Sequence, residues 1–232
     1  LQLNPLELHE LATAALLHDI GLLQLPASII RRAHITSSPL SQQEQLQFRT
    51  HPRLSVLVLE RQGGFESVVL DLIVNHHPFR SDNGTRIQAE MASVSNRSGI
   101  LMLADQYDEL ITGFGGASPF SPQEAIQRLY LEAKEDGALL NLLTHFIRTV
   151  GIYPVHSCVQ LNTKEVAVVT DINPDTLHQP IVTITHTPGW TEYPAPFTVD
   201  LARQEDREPA RTIESVIDNP PNSSAASSYH AA

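Results

Sequence analysis

The sequence predicts a mainly α-helical fold: a helical bundle over residues 1–151, a small antiparallel β unit over 152–202, and a polar tail over 203–232. Three observations predict it. Apolar residues recur at helical spacing as far as Val150. Two Ser-x-x-Glu capping boxes, Ser41-Gln42-Gln43-Glu44 and Ser121-Pro122-Gln123-Glu124, mark helix starts, the second with proline at the first helical position. After Gly151 the composition turns to short runs of Val, Ile and Thr separated by Asn-containing turns.

The elements follow in order. Leu6, Leu8, Leu11, Ala15 and Leu16 outline an apolar helical face that ends at His18-Asp19, with Gly21 as its stop. Pro26 opens a short helix through Arg32. The helix opened by Ser41 is broken at His51-Pro52, where another begins and runs to Gly63-Gly64. Residues 65–75 form a helix that runs into His76-His77 and stops at Pro78. Residues 78–90 are polar and aperiodic, hence a loop. Residues 92–112 are helical, with Ile100, Leu101, Leu103, Ala104, Tyr107 and Ile111 facing inward. Residues 155–161, 165–171 and 180–185 are strands. From Arg203 the chain is charged and then rich in Pro, Ser and Ala, so this tail, above all residues 219–232, is expected to be disordered.

The 232 residues are 41% hydrophobic and 18% charged, with a formal net charge of −11. That suits a sizeable core but disfavours nucleic acid as a partner, since no basic face is present to meet phosphates. Cys158 is the single cysteine, so no internal disulfide forms. With no apolar run of about 18 residues and no signal peptide, the chain reads as free of membrane segments and cytoplasmic. Leu1 stands where a methionine is expected, and the chain reads as truncated at its N-terminus.

Four features carry chemistry: His18-Asp19, His51, His76-His77 and Asp105. Imidazole with carboxylate is a ligand set for divalent transition metals. Neighbouring helical residues point about 100° apart, so His18 and Asp19 reach one place only at a helix end or beside two ions. Asp105 sits among Leu101, Leu103 and Ala104, and a carboxylate in such a stretch needs a charged partner. Taken singly, each histidine has an ordinary explanation as a helix cap or a complement to the helix dipole. His9, His34, His145, His156, His178, His186 and His230 fit that ordinary explanation.

The order of these motifs resembles the HD-type phosphohydrolases, most closely the HD-GYP group of cyclic-dinucleotide phosphodiesterases. Leu16-Leu17-His18-Asp19-Ile20-Gly21 resembles the HD signature, Thr50-His51-Pro52 its following His-Pro, and Val74-Asn75-His76-His77 its His-His pair. Leu103-Ala104-Asp105-Gln106-Tyr107-Asp108 resembles its Ala-Asp-x-Tyr-Asp helix, and Gly151-Ile152-Tyr153-Pro154-Val155 the segment after the bundle. The likeness spans residues 5–185.

The resemblance implies an HD-type helical bundle holding two divalent ions, iron or manganese, with magnesium, nickel and zinc as alternatives. Asp19 would bridge them, and a metal-bridging hydroxide would hydrolyse cyclic di-GMP or a related cyclic dinucleotide. One ion would take Asp19, His51, His76 and His77. The other would take His18, Asp19, Asp105 and a histidine from an upstream helix. Only 17 residues precede His18, so that last ligand is expected upstream of Leu1; otherwise the second position is incomplete. The resemblance also allows an upstream receiver or sensor domain and a homodimer.

The chain departs from the family around the substrate. Leu22 replaces a lysine after the HD pair, and Gly113-Phe114-Gly115-Gly116 replaces an Arg-Pro-Tyr turn. After His77 the Gly-Tyr-Pro motif is missing; Arg80 and Asp82 stand where the family's Arg and Asp bind substrate. The implied alternative to a divergent phosphodiesterase is therefore a degenerate, metal-stabilised scaffold or nucleotide sensor. A general nucleotide phosphohydrolase is the third reading.

Overall fold

A computed structural model describes residues 2–34, 39–77, 96–115, 117–204 and 210–217. The chain divides into two compact units, residues 1–120 with 127–143, and residues 121–126 with 144–232. The first is helical and the second is built on a five-stranded antiparallel sheet, so the predicted fold class holds.

The helical unit begins with α1, Pro5–Leu17. Asn4 caps it in a capping box with Glu7, and Pro5 enters the first turn, where its missing N–H costs nothing. The predicted inward face of this leucine-rich helix is corrected. Leu6, Leu8 and Leu16 are exposed, while Leu11 and Ala14 are buried. Residues 11, 14 and 18 share one stripe at i, i+3 and i+7, so the face that packs is the one that aims His18.

A 3₁₀ turn, Ile20–Gln24, follows, and then α2, Ala27–Ala33, and α3, Gln42–Phe48, the latter capped by Ser41 and Glu44. Next come α4, His51–Gln62, α5, Ser67–Val74, and α6, Asn96–Thr112. Gly113 ends α6 with a left-handed φ of 69° while its N–H bonds Glu109 O. Then come α7, Pro122–Ala133, and α8, Gly137–Val150. One apolar cluster, Leu11, Ala14, Leu59, Val69, Leu72, Ile73 and Leu101, joins α1, α4, α5 and α6. A second, Ile29, Ala33, Leu40 and Phe48, takes in Leu22, Leu25 and Phe114. Leu22 thus serves packing at the position where a lysine was expected. Ala104, predicted to face inward, is exposed; Leu101, Leu103 and Tyr107 are buried.

Gly21 is also corrected. It does not stop α1, which ends at Leu17, but sits inside the 3₁₀ turn pressed against α4. A Cβ there would lie 2.2 Å from His51 O and 2.3 Å from Ser55 N. The close approach lets Ser55 Oγ accept from Gly21 N at 2.8 Å and donate to His18 O at 2.5 Å. Gly21→Ala must push these segments apart. It is expected to destabilise the helical unit by about 1–3 kcal/mol, the usual cost of overpacking; urea denaturation measures the effect, and wild-type stability would contradict it.

The sheet contains β1, Cys158–Leu161, β2, Val166–Asp171, β3, Ile181–His186, β4, Glu192–Asp200, and β5, Ile213–Val216, in the order β4-β3-β2-β1-β5. Alternate residues Val159 and Leu161, Ala167 and Val169, Val182 and Ile184 supply its buried face, together with Leu201. Pro194 and Pro196 conceal β4 from a sequence reading, yet β4 is an edge strand, where proline is tolerated. The expectation of a disordered tail from Arg203 fails for Ile213–Val216, which pair with β1. Residues 218–232 lie outside the described residues. Among the described residues no helix is long and apolar enough to cross a membrane.

Candidate metal centre

The metal-ligand candidates come from helix ends and one helix face. His18 caps the C-terminus of α1, Asp19 follows it, and His51 is the first residue of α4. His76 and His77 come just after α5, and Asp105 lies within α6. The structure brings all six together. Arg80 and Asp82, the expected substrate residues, lie outside the described residues.

Three of the imidazoles are set by one device. The last carbonyls of a helix have no intrahelical partner. His18 Nδ1 meets Ala15 O at 2.8 Å, His51 Nδ1 meets Phe48 O at 2.8 Å, and His76 Nδ1 meets Ile73 O at 2.6 Å. These carbonyls belong to the final turns of α1, α3 and α5, each three residues before its histidine. A carbonyl cannot donate, so each Nδ1 carries a proton and, whenever the ring is neutral, its Nε2 presents a lone pair. The histidine as helix cap and the histidine as metal ligand are therefore one arrangement.

The lone pairs converge. His51 Nε2 lies 3.3 Å from His76 Nε2 and 3.0 Å from His77 Nε2. Asp19 Oδ1 lies 3.1 Å from His51 Nε2 and 3.8 Å from His76 Nε2, while Asp19 Oδ2 faces His18 Nε2 at 3.5 Å. Asp105 Oδ1 lies 3.4 Å from His18 Nε2, and its Oδ2 lies 3.2 Å from His77 Nδ1. His51 is 1% exposed and His76 is fully buried. Asp19 Oδ1 and Asp105 Oδ2 are buried without a hydrogen-bond donor. For Asp19 this follows from the tautomer, since the Nδ1 proton of His51 goes to Phe48 O.

Clustered lone pairs and donor-less carboxylate oxygens call for a cation. Donors around an ion with bonds of about 2.1 Å are roughly 3.0–3.4 Å apart; five of the seven contacts just given fall in that range, while Asp19 stands slightly farther from His18, at 3.5 Å, and from His76, at 3.8 Å. His51 with His76 and His77, and His18 with Asp19 and His76, are both groups that could hold a metal ion. So is His77 with Asp105 and Glu109. Sequence reasoning missed Glu109; the available signal was its i, i+4 spacing from Asp105 on one helix.

The electrostatics of the metal-free centre have two opposed parts. Burial works against protonation of His18, but the hydrogen bond to Asp105 and the charges of Asp19 and Asp105 prevail, raising it to about 9. Burial, reinforced by His76, pushes His77 down to about 3. Burial alone would raise Asp19, yet the contact with His51 and the proximity of His18, His51 and His76 hold it below its ordinary value.

The sign of the pH dependence follows. His18 binds its proton more tightly folded than unfolded, so its stabilisation is complete below 6.5 and is lost as pH rises through about 9. His77 resists protonation when folded, so its contribution is present above 6.5 and is lost as pH falls toward about 3. The EDTA-treated chain should therefore melt highest near pH 6.5. Thermal melts from about pH 5 to about pH 9 check this; a monotonic profile would contradict it.

A family model described as an HD domain matches residues 1–139. A cyclic di-GMP phosphodiesterase of Pseudomonas aeruginosa is 27% identical over 202 residues, which cover 85% of this chain and 47% of that protein. The chain thus spans about half the length of that curated relative. No solved structure matches the chain significantly.

Proposed function

The chain belongs to the HD domain family, and from that premise we propose that it is a metal-dependent phosphodiesterase acting on cyclic di-GMP or a related cyclic dinucleotide. The observation that carries the reading is the split of one carboxylate between two donor groups. Asp19 turns Oδ1 to His51 and His76 and Oδ2 to His18, the arrangement a bridging ligand needs. The cyclic di-GMP phosphodiesterase activity of the Pseudomonas aeruginosa relative supports the substrate class.

In this reading Asp19, His51, His76 and His77 hold one divalent ion, and His18, Asp19 and Asp105 contribute to a second. Such ions, when bound, supply a water of lowered pKa and neutralise charge on a phosphodiester. The protein's own part is positioning. The carbonyls of Ala15, Phe48 and Ile73 fix the tautomer of His18, His51 and His76. Ser55 ties Gly21 N to His18 O and so holds the His18-Asp19 pair against α4. Iron and manganese suit the mixed imidazole and carboxylate donors, with magnesium, nickel and zinc as alternatives.

The second reading, a scaffold or sensor that binds without turnover, is favoured by Leu22, which packs against an apolar cluster at the position where the family resemblance implies a lysine. The experiment is turnover of cyclic di-GMP by the Mn²⁺-loaded chain, followed by chromatography of the linear product. Hydrolysis supports the enzyme; bound metal and bound but intact nucleotide would establish the scaffold.

A further inference from the structure

We propose that Glu109 is a metal ligand, forming with Asp105 and His77 a carboxylate-rich cation position on the α6 side of the centre. The inference rests on the reading of this centre as metal-binding and adds a residue to it. One ligand atom from each of His77, Asp105 and Glu109 lies within 4.8 Å of the others. Asp105 and Glu109 are four residues apart on α6, so successive turns present both carboxylates on one face. The Asp105 side chain is only 9% exposed, and its Oδ2 is buried without a donor while facing His77 Nδ1 at 3.2 Å.

His77 differs from the other three imidazoles in what its Nδ1 faces. Theirs meet backbone carbonyls, whereas His77 turns Nδ1 to Asp105 and Nε2 to His51. It stands between two donor groups. A neutral ring has one lone pair, so while His77 Nε2 serves the His51 group the α6 position rests on the carboxylates of Asp105 and Glu109, with His77 Nδ1 beside them. The two groups differ in hardness. His51, His76 and His77 offer nitrogen alone; Asp105 and Glu109 offer oxygen, the donor that Mn²⁺ and Mg²⁺ prefer.

The test is Mn²⁺ titration of the EDTA-stripped full chain by calorimetry and electron paramagnetic resonance. The wild type is expected to show two classes of Mn²⁺ site. Glu109→Gln should lose one class or weaken it by more than about tenfold, the scale on which lost partners act at metal sites, while the metal-free melting curve stays as in the wild type. Glu109→Asp keeps the charge but withdraws it by one methylene, and should also weaken that class. Wild-type binding by Glu109→Gln would overturn the proposal. Wild-type binding by Glu109→Asp beside weakened Glu109→Gln would also overturn it, because charge alone would then suffice. If the wild type binds no Mn²⁺, the reading of the whole centre falls with it. If the wild type turns over cyclic di-GMP while Glu109→Gln binds Mn²⁺ unchanged, only the present inference falls.

Discussion

On the proposed phosphodiesterase reading, Asp19→Asn should remove bound metal and lower turnover of cyclic di-GMP by at least about a thousandfold. Metal-assisted catalysis supplies several kcal/mol of barrier reduction, and each 1.4 kcal/mol or so is worth about a factor of ten. The substitution keeps the shape of the side chain but takes away the anion whose oxygens face His18 on one side and His51 and His76 on the other. It leaves four imidazoles in ring contact with one another, of which His18 and His77 still face Asp105. Metal analysis of the purified variant and a chromatographic assay measure the two losses. Retention of both metal and turnover would remove Asp19 from the bridging role.

Arg211→Met should destabilise the sheet unit by about 3–5 kcal/mol, the range for breaking a buried ion pair by deleting one partner. Arg211 grips Glu165 with two parallel bonds, Nε to Oε2 at 2.7 Å and Nη2 to Oε1 at 2.8 Å. Their side chains are 5% and 7% exposed. Arg211 and the hydrogen bond from Thr163 hold the Glu165 carboxyl down to about 2 against its burial. The pair joins the residue just before β2 to the residue two before β5, so it fastens the last strand onto the sheet. Methionine would leave the Glu165 carboxylate buried with, among the described residues, Thr163 and Tyr193 as its remaining side-chain donors. Urea denaturation measures the loss. The double variant Arg211→Met with Glu165→Leu should recover much of it, because an apolar replacement of both partners strands no charge. Equal instability of single and double variants would assign the effect to packing.

Much of the helical unit was legible because its signals are local. Capping boxes at Ser41 and Ser121 and the His51-Pro52 break depend on residues within one turn of each other, and each marks an observed helix start. The six metal-ligand candidates were legible as residue types in order. Their proximity was not, because His18 and Asp105 are joined only by the packing of α1 and α6. The face of α1 was misread since leucine lies all around that helix, and only the cluster with Leu59, Leu72 and Leu101 selects Leu11 and Ala14.

By itself, then, the sequence determined the helix starts, the change from bundle to strands and the chemical identity of the centre, since these depend on spacing along the chain. The tertiary structure alone decided which side-chain nitrogens and oxygens meet, why Gly21 bears no side chain, that His77 comes within reach of Asp105 and Glu109, and that residues 213–216 complete the sheet. Those outcomes turn on distances between segments remote in sequence, where an ångström separates a ligand from a clash and where a partner strand, rather than local preference, makes a short polar segment extend.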